Sequence, residues 1–163
     1  MMRSRLSPPA AGAQLNRRAI LLGLPAFAAA AGVAHAAPRQ ITIYKTPWCG
    51  CCGGWVTHMR RAGFGTNVVE VQDLAPIRDK YGVPFRLSSC HTGVIAGYVV
   101  EGHVPPADVT RLLKERPKAL GIVVPGMPIR SPGMESARGE SEAYETLLLL
   151  NRSGQTRVFA KHG

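Results

Sequence analysis

The sequence has 163 residues, and a domain usually takes about 100–200, so a single domain is expected. Its 20 basic and 10 acidic side chains give a formal net charge of +10, while hydrophobic residues make up 45 % of the chain and charged residues 18 %. These proportions exclude collagen, coiled-coil, low-complexity and disordered classes, and four cysteines are few for a disulfide scaffold of this length.

Residues 1–36 have the features of a cleaved signal peptide. A basic region ending in two arginines precedes an apolar run at residues 19–34, and small residues precede a cleavage site between Ala36 and Ala37. The apolar run is shorter than the roughly 20 residues that a membrane-spanning helix needs. The arginine pair resembles a twin-arginine export signal, and the export route stays open. We expect residues 37–163 to form one domain outside the cytoplasm, without stable membrane insertion after cleavage.

The rest of the chain alternates between strand and helix patterns. Predicted strands lie around Ile41 and Ile43, at residues 68–71, and at residues 92–100, where a strand pair breaks near Gly97. Predicted helices follow the first strand, begin after Asp73 and begin at Pro105-Pro106. A loop rich in Gly, Pro and Met spans residues 121–139, and a hairpin joins residues 147–150 to 157–160, leaving His162 in a disordered tail. This order predicts an α/β sandwich with a mixed sheet and a C-terminal β-hairpin.

The cysteines in Trp48-Cys49-Gly50-Cys51-Cys52 have two readings. Cys49 and Cys52 have the C-x-x-C spacing of a catalytic redox pair, and the positive end of the following helix lowers the pKa of thiols placed there. Cys51 adds a third sulfur that a redox pair does not need. Three thiolates in one turn are cramped for a tetrahedral zinc site but suit Cu(I), which accepts low coordination numbers and sulfur bridges. Cys90 can supply a fourth sulfur.

Further candidate ligands follow the cysteines. His91 adjoins Cys90 and His103 follows the second strand of the predicted pair, and imidazole suits copper. Met127 and Met134 lie in the glycine-rich loop, and thioethers are soft Cu(I) ligands. Each of these four residues also has an ordinary structural reading, as a surface or capping histidine or as a methionine that fills the core.

Other function classes find little support in the sequence. Four of the 20 basic residues lie in the predicted signal peptide, so the excess of positive charge on the rest of the chain is modest. Aromatic residues make up 6 % of the chain and form no stripe with basic residues, so binding of nucleic acid is excluded. No glycine-rich phosphate loop, G-x-S-x-G or H-E-x-x-H motif indicates a nucleotide-binding protein or a hydrolase. A metal cluster, a thiol–disulfide oxidoreductase without a physiological metal, and a binding module stapled by disulfides stay open.

Several motifs agree in order with one family. They are Trp48-Cys49-Gly50-Cys51-Cys52, Ser89-Cys90-His91-Thr92, the run from Gly97 to Pro105, Gly126-Met127-Pro128, and Ser131-Pro132-Gly133-Met134-Glu135. Together they resemble the CopG-type copper-resistance family over about residues 40–161. One departure is Arg130, at a position where a small residue, usually Gly, is expected.

The resemblance implies a periplasmic domain with a thioredoxin-like fold at residues 37–163. It implies copper binding through clustered thiolates, with Cys49, Cys51, Cys52 and Cys90 as the ligands. We therefore expect more than one Cu(I) per chain and a role in copper resistance, by storage, transfer or coupling of the dithiol to copper redox change. Whether the protein is a copper/thiol oxidoreductase enzyme stays open. Expected partners are copper ions and other periplasmic copper-handling or redox proteins.

Cleavage of the signal peptide is directly testable. We expect the exported protein to begin at Ala37, because Ala34 and Ala36 fit the small-residue positions three and one before the cleaved bond. N-terminal sequencing of the exported protein checks this. Recovery of an intact Met1 in the membrane fraction would contradict it.

Overall fold

The computed structural model describes residues 39–163, so the predicted signal peptide and its cleavage site lie outside the described residues. The strands are β1 (Gln40–Lys45), β2 (Gly65–Glu70), β3 (His91–Ile95), β4 (Tyr98–Glu101), β5 (Gly121–Val123), β6 (Tyr144–Leu149) and β7 (Thr156–His162). The helices are α1 (Gly50–Arg61), α2 (Ala75–Tyr81) and α3 (Pro106–Glu115), with a short 3₁₀ helix at Phe85–Leu87. Within residues 39–163, no helix combines the length and apolarity needed to cross a membrane.

All seven strands join one mixed sheet in the order β2-β1-β3-β4-β5-β6-β7. The pairs β1–β2 and β4–β5 are parallel, and the other four neighbouring pairs are antiparallel. The predicted α/β class with a mixed sheet is therefore confirmed, as is the C-terminal hairpin formed by β6 and β7.

Apolar side chains cover both faces of this sheet. Val100, Ile122 and Leu148 belong to the larger core cluster, together with the apolar faces of α1 and α3. Their chain neighbours Val99, Val123 and Leu149 belong to a second cluster, which packs around the segment after α2. This alternation follows from the two-residue period of a strand, which points successive side chains to opposite faces. The sheet is thus the middle layer of a sandwich.

The predicted loop at residues 121–139 begins with a strand, so that part of the prediction is wrong. Gly121–Val123 forms β5, which pairs in parallel with β4 and antiparallel with β6. Its three residues are all buried. A run this short has no measurable periodicity, and only the flanking strands identify it as a strand. Gly121 permits the close approach, since a Cβ there would collide with the carbonyl oxygen of Val99.

The end of β7 is held by a polar cluster, which corrects the expectation that His162 lies in a disordered tail. The Asp108 carboxylate on α3 accepts a hydrogen bond of 2.6 Å from Thr146 Oγ1 and lies 3.0 Å from His162 Nε2. Asp108 is buried, so its oxygens need such partners. Because His162 is one of these partners, β7 continues past Ala160, where the predicted strand ends, to His162.

The close pairing of β4 with β5 predicts that a methyl group added at Gly121 destabilises the protein. Gly121→Ala is expected to lower the free energy of unfolding by about 1–3 kcal/mol, because the new Cβ meets the Val99 carbonyl. The matched control is Gly53→Ala inside α1, where a Cβ meets nothing within 4 Å and helix propensity favours alanine by up to about 1 kcal/mol. Urea unfolding of both variants measures this. Equal stability of the two would contradict the close packing of β5 on β4.

Candidate metal centre

Three of the cysteines lie together because α1 begins directly after the turn that follows β1. Cys49 is the residue before the first helical turn, and its backbone N–H donates to the Thr46 carbonyl at 3.1 Å. Cys51 and Cys52 follow inside the first turn. Cys52 is completely buried, whereas Cys49 and Cys51 are half-buried. The helix start therefore holds three sulfurs beside the unpaired backbone N–H groups of its first turn.

Cys90 reaches this turn through the pairing of β3 with β1. The two strands are antiparallel and Lys45 pairs with His91, so the residue before β3 lies beside the end of β1. The pairing thus crosses the 38 positions between Cys52 and Cys90. Neither residue's local sequence determines this approach.

The four sulfurs form one compact group, all within 4.8 Å of one another. Cys49 and Cys52 are joined as a disulfide, and Cys51 and Cys90 are free. Cys51 Sγ lies 3.6 Å from Cys49 Sγ and 3.9 Å from Cys90 Sγ, and Cys90 Sγ lies 3.5 Å from Cys52 Sγ. Each free sulfur is therefore next to one sulfur of the disulfide.

A buried ion pair positions the backbone that carries Cys90. The fully buried Glu101 carboxylate lies 2.9 Å from Arg78 Nε and accepts hydrogen bonds from Ser89 N at 2.8 Å and Thr92 Oγ1 at 2.6 Å. Arg78 also donates to the Ser89 carbonyl. Burial raises the pKa of Glu101, and the Arg78 guanidinium opposes that shift. The prediction from sequence omitted both residues, although a carboxylate within the apolar run Val99-Val100-Glu101 is a signal for a buried partner.

His103 presents a lone pair to Cys90. Its Nδ1 lies 2.8 Å from the Pro132 carbonyl oxygen, which only accepts, so Nδ1 carries the proton and donates. Nε2 is then unprotonated and lies 2.9 Å from Cys90 Sγ. Burial lowers the pKa of His103, which keeps the imidazole neutral. A neutral imidazole with a free lone pair is the form that binds metals.

His91 is the second imidazole at Cys90. Its Nδ1 lies 3.4 Å from Cys90 Sγ, and its Nε2 is a buried polar atom with no hydrogen-bond partner. Burial, followed by the neighbouring His103, lowers the pKa of His91 well below its usual value. Both predicted histidines thus lie beside the sulfur of Cys90. Thiolates of the four cysteines, once the disulfide is reduced, are soft donors and imidazole also suits copper, so the combined set fits Cu(I).

Burial also determines the protonation of the free thiol at Cys90. It raises the pKa of Cys90 to about 12, with the charge of Cys51 contributing in the same direction. Near neutral pH this residue is a thiol whose S–H donates to His103 Nε2, and a metal ion must displace that proton. The lowering expected for Cys49 and Cys52 at the helix start stays a prediction, since disulfide sulfurs do not titrate.

The two predicted methionines occupy different positions. Met127 is 51 % exposed and lines a cavity of about 360 Å³ together with Trp48, Cys49, Cys51 and Cys90. Met134 is partly buried and does not line this cavity; its backbone is bonded to that of Ser131 and Arg130. The structure thus brings Met127, and not Met134, to the mouth of the cysteine site.

The loop at residues 126–135 closes over α1. A Cβ on Gly133 would meet the backbone of Trp55 and Cys51, so the loop and the helix touch without intervening side chains. Arg130 has a φ of +71°, in the left-handed region that glycine favours, which explains why a glycine is expected at this position. Arginine there costs roughly 1–2 kcal/mol of backbone strain.

A family model described as a protein of unknown function, DUF411, matches residues 87–134, which include Cys90 and His103. The solved structure "Copper resistance protein copG- Form 2" is 42 % identical to the chain, with a TM-score of 0.72, and the match covers 77 % of this chain and 99 % of that one. "Copper resistance protein copG- Form 1" is 42 % identical over 77 % of this chain and 98 % of its own, with a TM-score of 0.71. The comparison with curated proteins found no match.

The buried carboxylate yields a stability prediction with a matched surface control. Glu101→Gln is expected to lower the free energy of unfolding by about 3 kcal/mol, because it leaves the Arg78 guanidinium without its counter-charge. Glu115→Gln removes a carboxylate from an exposed ion pair with Arg111 and is expected to cost less than about 0.5 kcal/mol. Denaturant unfolding compares the two. A similar small cost for both would show that the buried pair does not hold this region.

Proposed function

The chain belongs to the family of CopG copper resistance proteins, and from that premise we propose that it is an exported periplasmic protein that holds Cu(I) on Cys49, Cys51, Cys52 and Cys90. The observation that carries the proposal is the convergence of four sulfurs from two separate chain segments within 4.8 Å. The premise makes a copper-related function the starting point, and the closeness of the four sulfurs supports these cysteines as the residues that perform it. The strand order β2-β1-β3-β4, with C-x-x-C at the start of α1, supports the thioredoxin-like assignment.

The crowding of the sulfurs favours more than one Cu(I). Three of them come from a single helical turn, unlike the separated cysteine pairs that usually bind one tetrahedral zinc ion. Cu(I) accepts two or three ligands, and one thiolate can bridge two ions. We therefore propose a multinuclear Cu(I) cluster in the fully reduced protein, with copper as the cargo of the protein.

The residues of the chain have distinct roles in loading this cargo. Met127 and the 70 % exposed Trp48 stand at the cavity where Cys49 and Cys51 are reached from solvent. His103 Nε2 accepts the S–H hydrogen bond of Cys90 at 2.9 Å, and copper bound at this sulfur displaces that proton. Arg78 and Glu101 hold the Ser89 backbone in place, so the sulfur of the neighbouring Cys90 is already positioned before copper binds.

A thiol–disulfide oxidoreductase is the second candidate, and the Cys49–Cys52 disulfide favours it. Such an enzyme uses the C-x-x-C pair alone and does not need the free thiols of Cys51 and Cys90. The two functions therefore differ in their dependence on Cys51. Cys51→Ser is expected to abolish much of the copper binding but to spare dithiol redox activity.

Copper stoichiometry tests the proposed function. Anaerobic titration of the reduced protein is expected to give more than one Cu(I) per chain and a preference for copper over zinc, because the donors are crowded thiolates. Cys90→Ser is expected to lower the copper number or affinity while the domain stays folded, which thermal unfolding checks. One tightly bound zinc with no uptake of copper would overturn the cluster, and unchanged copper binding in folded Cys90→Ser would remove Cys90 from it.

A further inference from the structure

We propose that the end of the sheet opposite the cysteines binds an anionic phospholipid surface. Six exposed basic residues lie there and together form the basic end: Arg39, Arg60, Arg61, Lys114, Arg116 and Lys118. The proposal goes beyond copper binding and depends on the proposed function only for export, which brings the protein to a membrane face. The contact is peripheral and inserts no segment of the described chain into the bilayer.

The topology of the sheet brings these residues together from distant parts of the chain. The Gly65 backbone N–H donates to the Arg39 carbonyl at 3.1 Å, so the residue before β1 lies beside the start of β2, which follows the end of α1. β3 is antiparallel to both β1 and β4, so β1 and β4 begin at the same end of the sheet. β5 begins beside β4, since Gly121 pairs with Val99, and the end of α3 leads into β5. The ends of α1 and α3 therefore flank the start of β1.

A cavity at the basic end shows that these segments meet. It has a volume of about 450 Å³ and lies between the start of β1, the turn from β3 to β4 and the end of α3. Its lining includes Arg39, Lys114 and Arg116 and contains no acidic side chain. Arg39 Nη1 donates to Thr110 Oγ1 at 3.1 Å, and the guanidinium carbon lies 5.6 Å from the centre of the Phe64 ring. These contacts position the Arg39 charge without neutralising it.

The charges of the basic end have no counter-charge within the described chain. All six side chains are exposed, and none of them forms an ion pair within residues 39–163. Glu115, the acidic residue at the end of α3, is already paired with Arg111 at 2.7 Å. The basic end is therefore a region of uncompensated positive charge, although the sequence contains no long run of basic residues.

Stabilisation of the helices accounts for only part of this arrangement. Basic residues in the last turn of a helix interact favourably with its macrodipole, which explains those at the ends of α1 and α3. Arg39 and Lys118 lie outside the helices. Arg116 directly follows α3 with a φ of 47°, in the left-handed region that glycine favours. A glycine would end the helix there without strain, so the arginine favours a role for its charge.

The chemistry of the basic end favours a lipid surface over a protein partner. Protein interfaces are enriched in aromatic side chains and depleted in lysine, and buried aromatic anchors often carry the binding energy. The exposed aromatic residues of the described chain, Trp48 and Phe85, lie after β1 and in the 3₁₀ helix, and no aromatic side chain lines the cavity. Clusters of about four to eight basic residues bind anionic headgroups by charge, and each residue strengthens binding by about fivefold. Six exposed cations without an aromatic anchor match such a surface.

Docking through the basic end turns the cysteines away from the membrane. β1 separates the two ends, with Arg39 before it and the first three cysteines after it. Its six residues at about 3.3 Å each give a separation of about 20 Å. The cavity lined by Trp48, Cys49 and Met127 then stays open to molecules that approach from the side opposite the bilayer.

Vesicle binding of the exported protein tests the proposal. Co-sedimentation compares vesicles of phosphatidylglycerol mixed with phosphatidylcholine against vesicles of phosphatidylcholine alone, at low and at high salt. We expect binding to the anionic vesicles at low salt and no binding to the neutral vesicles. High salt is expected to release the protein, because ions screen interactions between exposed charges. Equally strong binding to both kinds of vesicle, or no binding to either, would overturn the proposal.

Two triple variants with the same change in net charge locate the surface. Removing three charges of the basic end is expected to weaken binding to the anionic vesicles by about 100-fold, from about fivefold per residue. The substitutions are Lys114→Gln, Arg116→Gln and Lys118→Gln. The control changes three exposed basic residues between β5 and β6 and in β7, and it is expected to lose less than about fivefold. Its substitutions are Arg130→Gln, Arg138→Gln and Lys161→Gln. Equal losses in the two folded variants, checked by circular dichroism, would show that net charge rather than the basic end determines binding.

Quenching of tryptophan fluorescence by brominated lipids tests the orientation. Trp48 is 70 % exposed at the cysteine cavity and is expected to stay unquenched in the vesicle-bound protein. Ala62→Trp places a further tryptophan at an exposed position directly after Arg61, and this one is expected to be quenched. Quenching of Trp48 in the wild-type protein would overturn the docking orientation.

A further arm distinguishes lipid from an acidic protein, and the design separates this inference from the proposed function. Tighter binding to polyglutamate than to anionic vesicles of equal charge concentration would overturn the lipid surface in favour of an acidic protein partner. The vesicle assays use protein without copper, so their failure leaves the proposed Cu(I) site intact. Failure of the reduced protein to take up Cu(I) would instead overturn the proposed function and leave the vesicle result intact.

Discussion

The ion pair between Arg78 and Glu101 is the interaction on which the arrangement of the site depends. Glu101 is completely enclosed, and a buried carboxylate is costly unless charge and hydrogen bonds compensate it. The compensation comes from Arg78, from Thr92 and from the backbone N–H of Ser89. Two of these partners flank Cys90 in the chain. The need to satisfy one carboxylate therefore also determines where the Cys90 sulfur lies.

The site combines burial with electrical neutrality. Both imidazoles are neutral because burial lowers their pKa, and Cys90 is a thiol because burial raises its pKa. In the proposed function, a Cu(I) that displaces the thiol proton replaces one positive charge with another. The charge at the Cys90 sulfur is then the same before and after copper binds, which avoids the desolvation penalty of creating a new buried charge at that sulfur.

Local sequence patterns predicted the residues of the site but not the long-range contacts that bring them together. Cys49, Cys51 and Cys52 are neighbours in sequence, so a single helix start brings them together. The contact with Cys90 depends on the register that pairs Lys45 with His91, a long-range property that no local pattern contains. The direction of the His103 lone pair depends on a carbonyl 29 residues later. Strand β5 was missed for a related reason, since its pairing partners rather than its three residues identify it.

The contact between Gly133 and the backbone of α1 has a consequence for how the sequence can vary. Since the loop lies directly on the helix, a residue inserted into 126–135 displaces the Pro132 carbonyl, and with it the imidazole that faces the thiols. The segment that follows is less constrained, because residues 137–143 are all exposed and its bonds back to the loop run from Glu142 to Ile129. Length differences among relatives should therefore accumulate after the loop. The same segment is the natural place to attach a fluorophore or a tag without touching the cysteines.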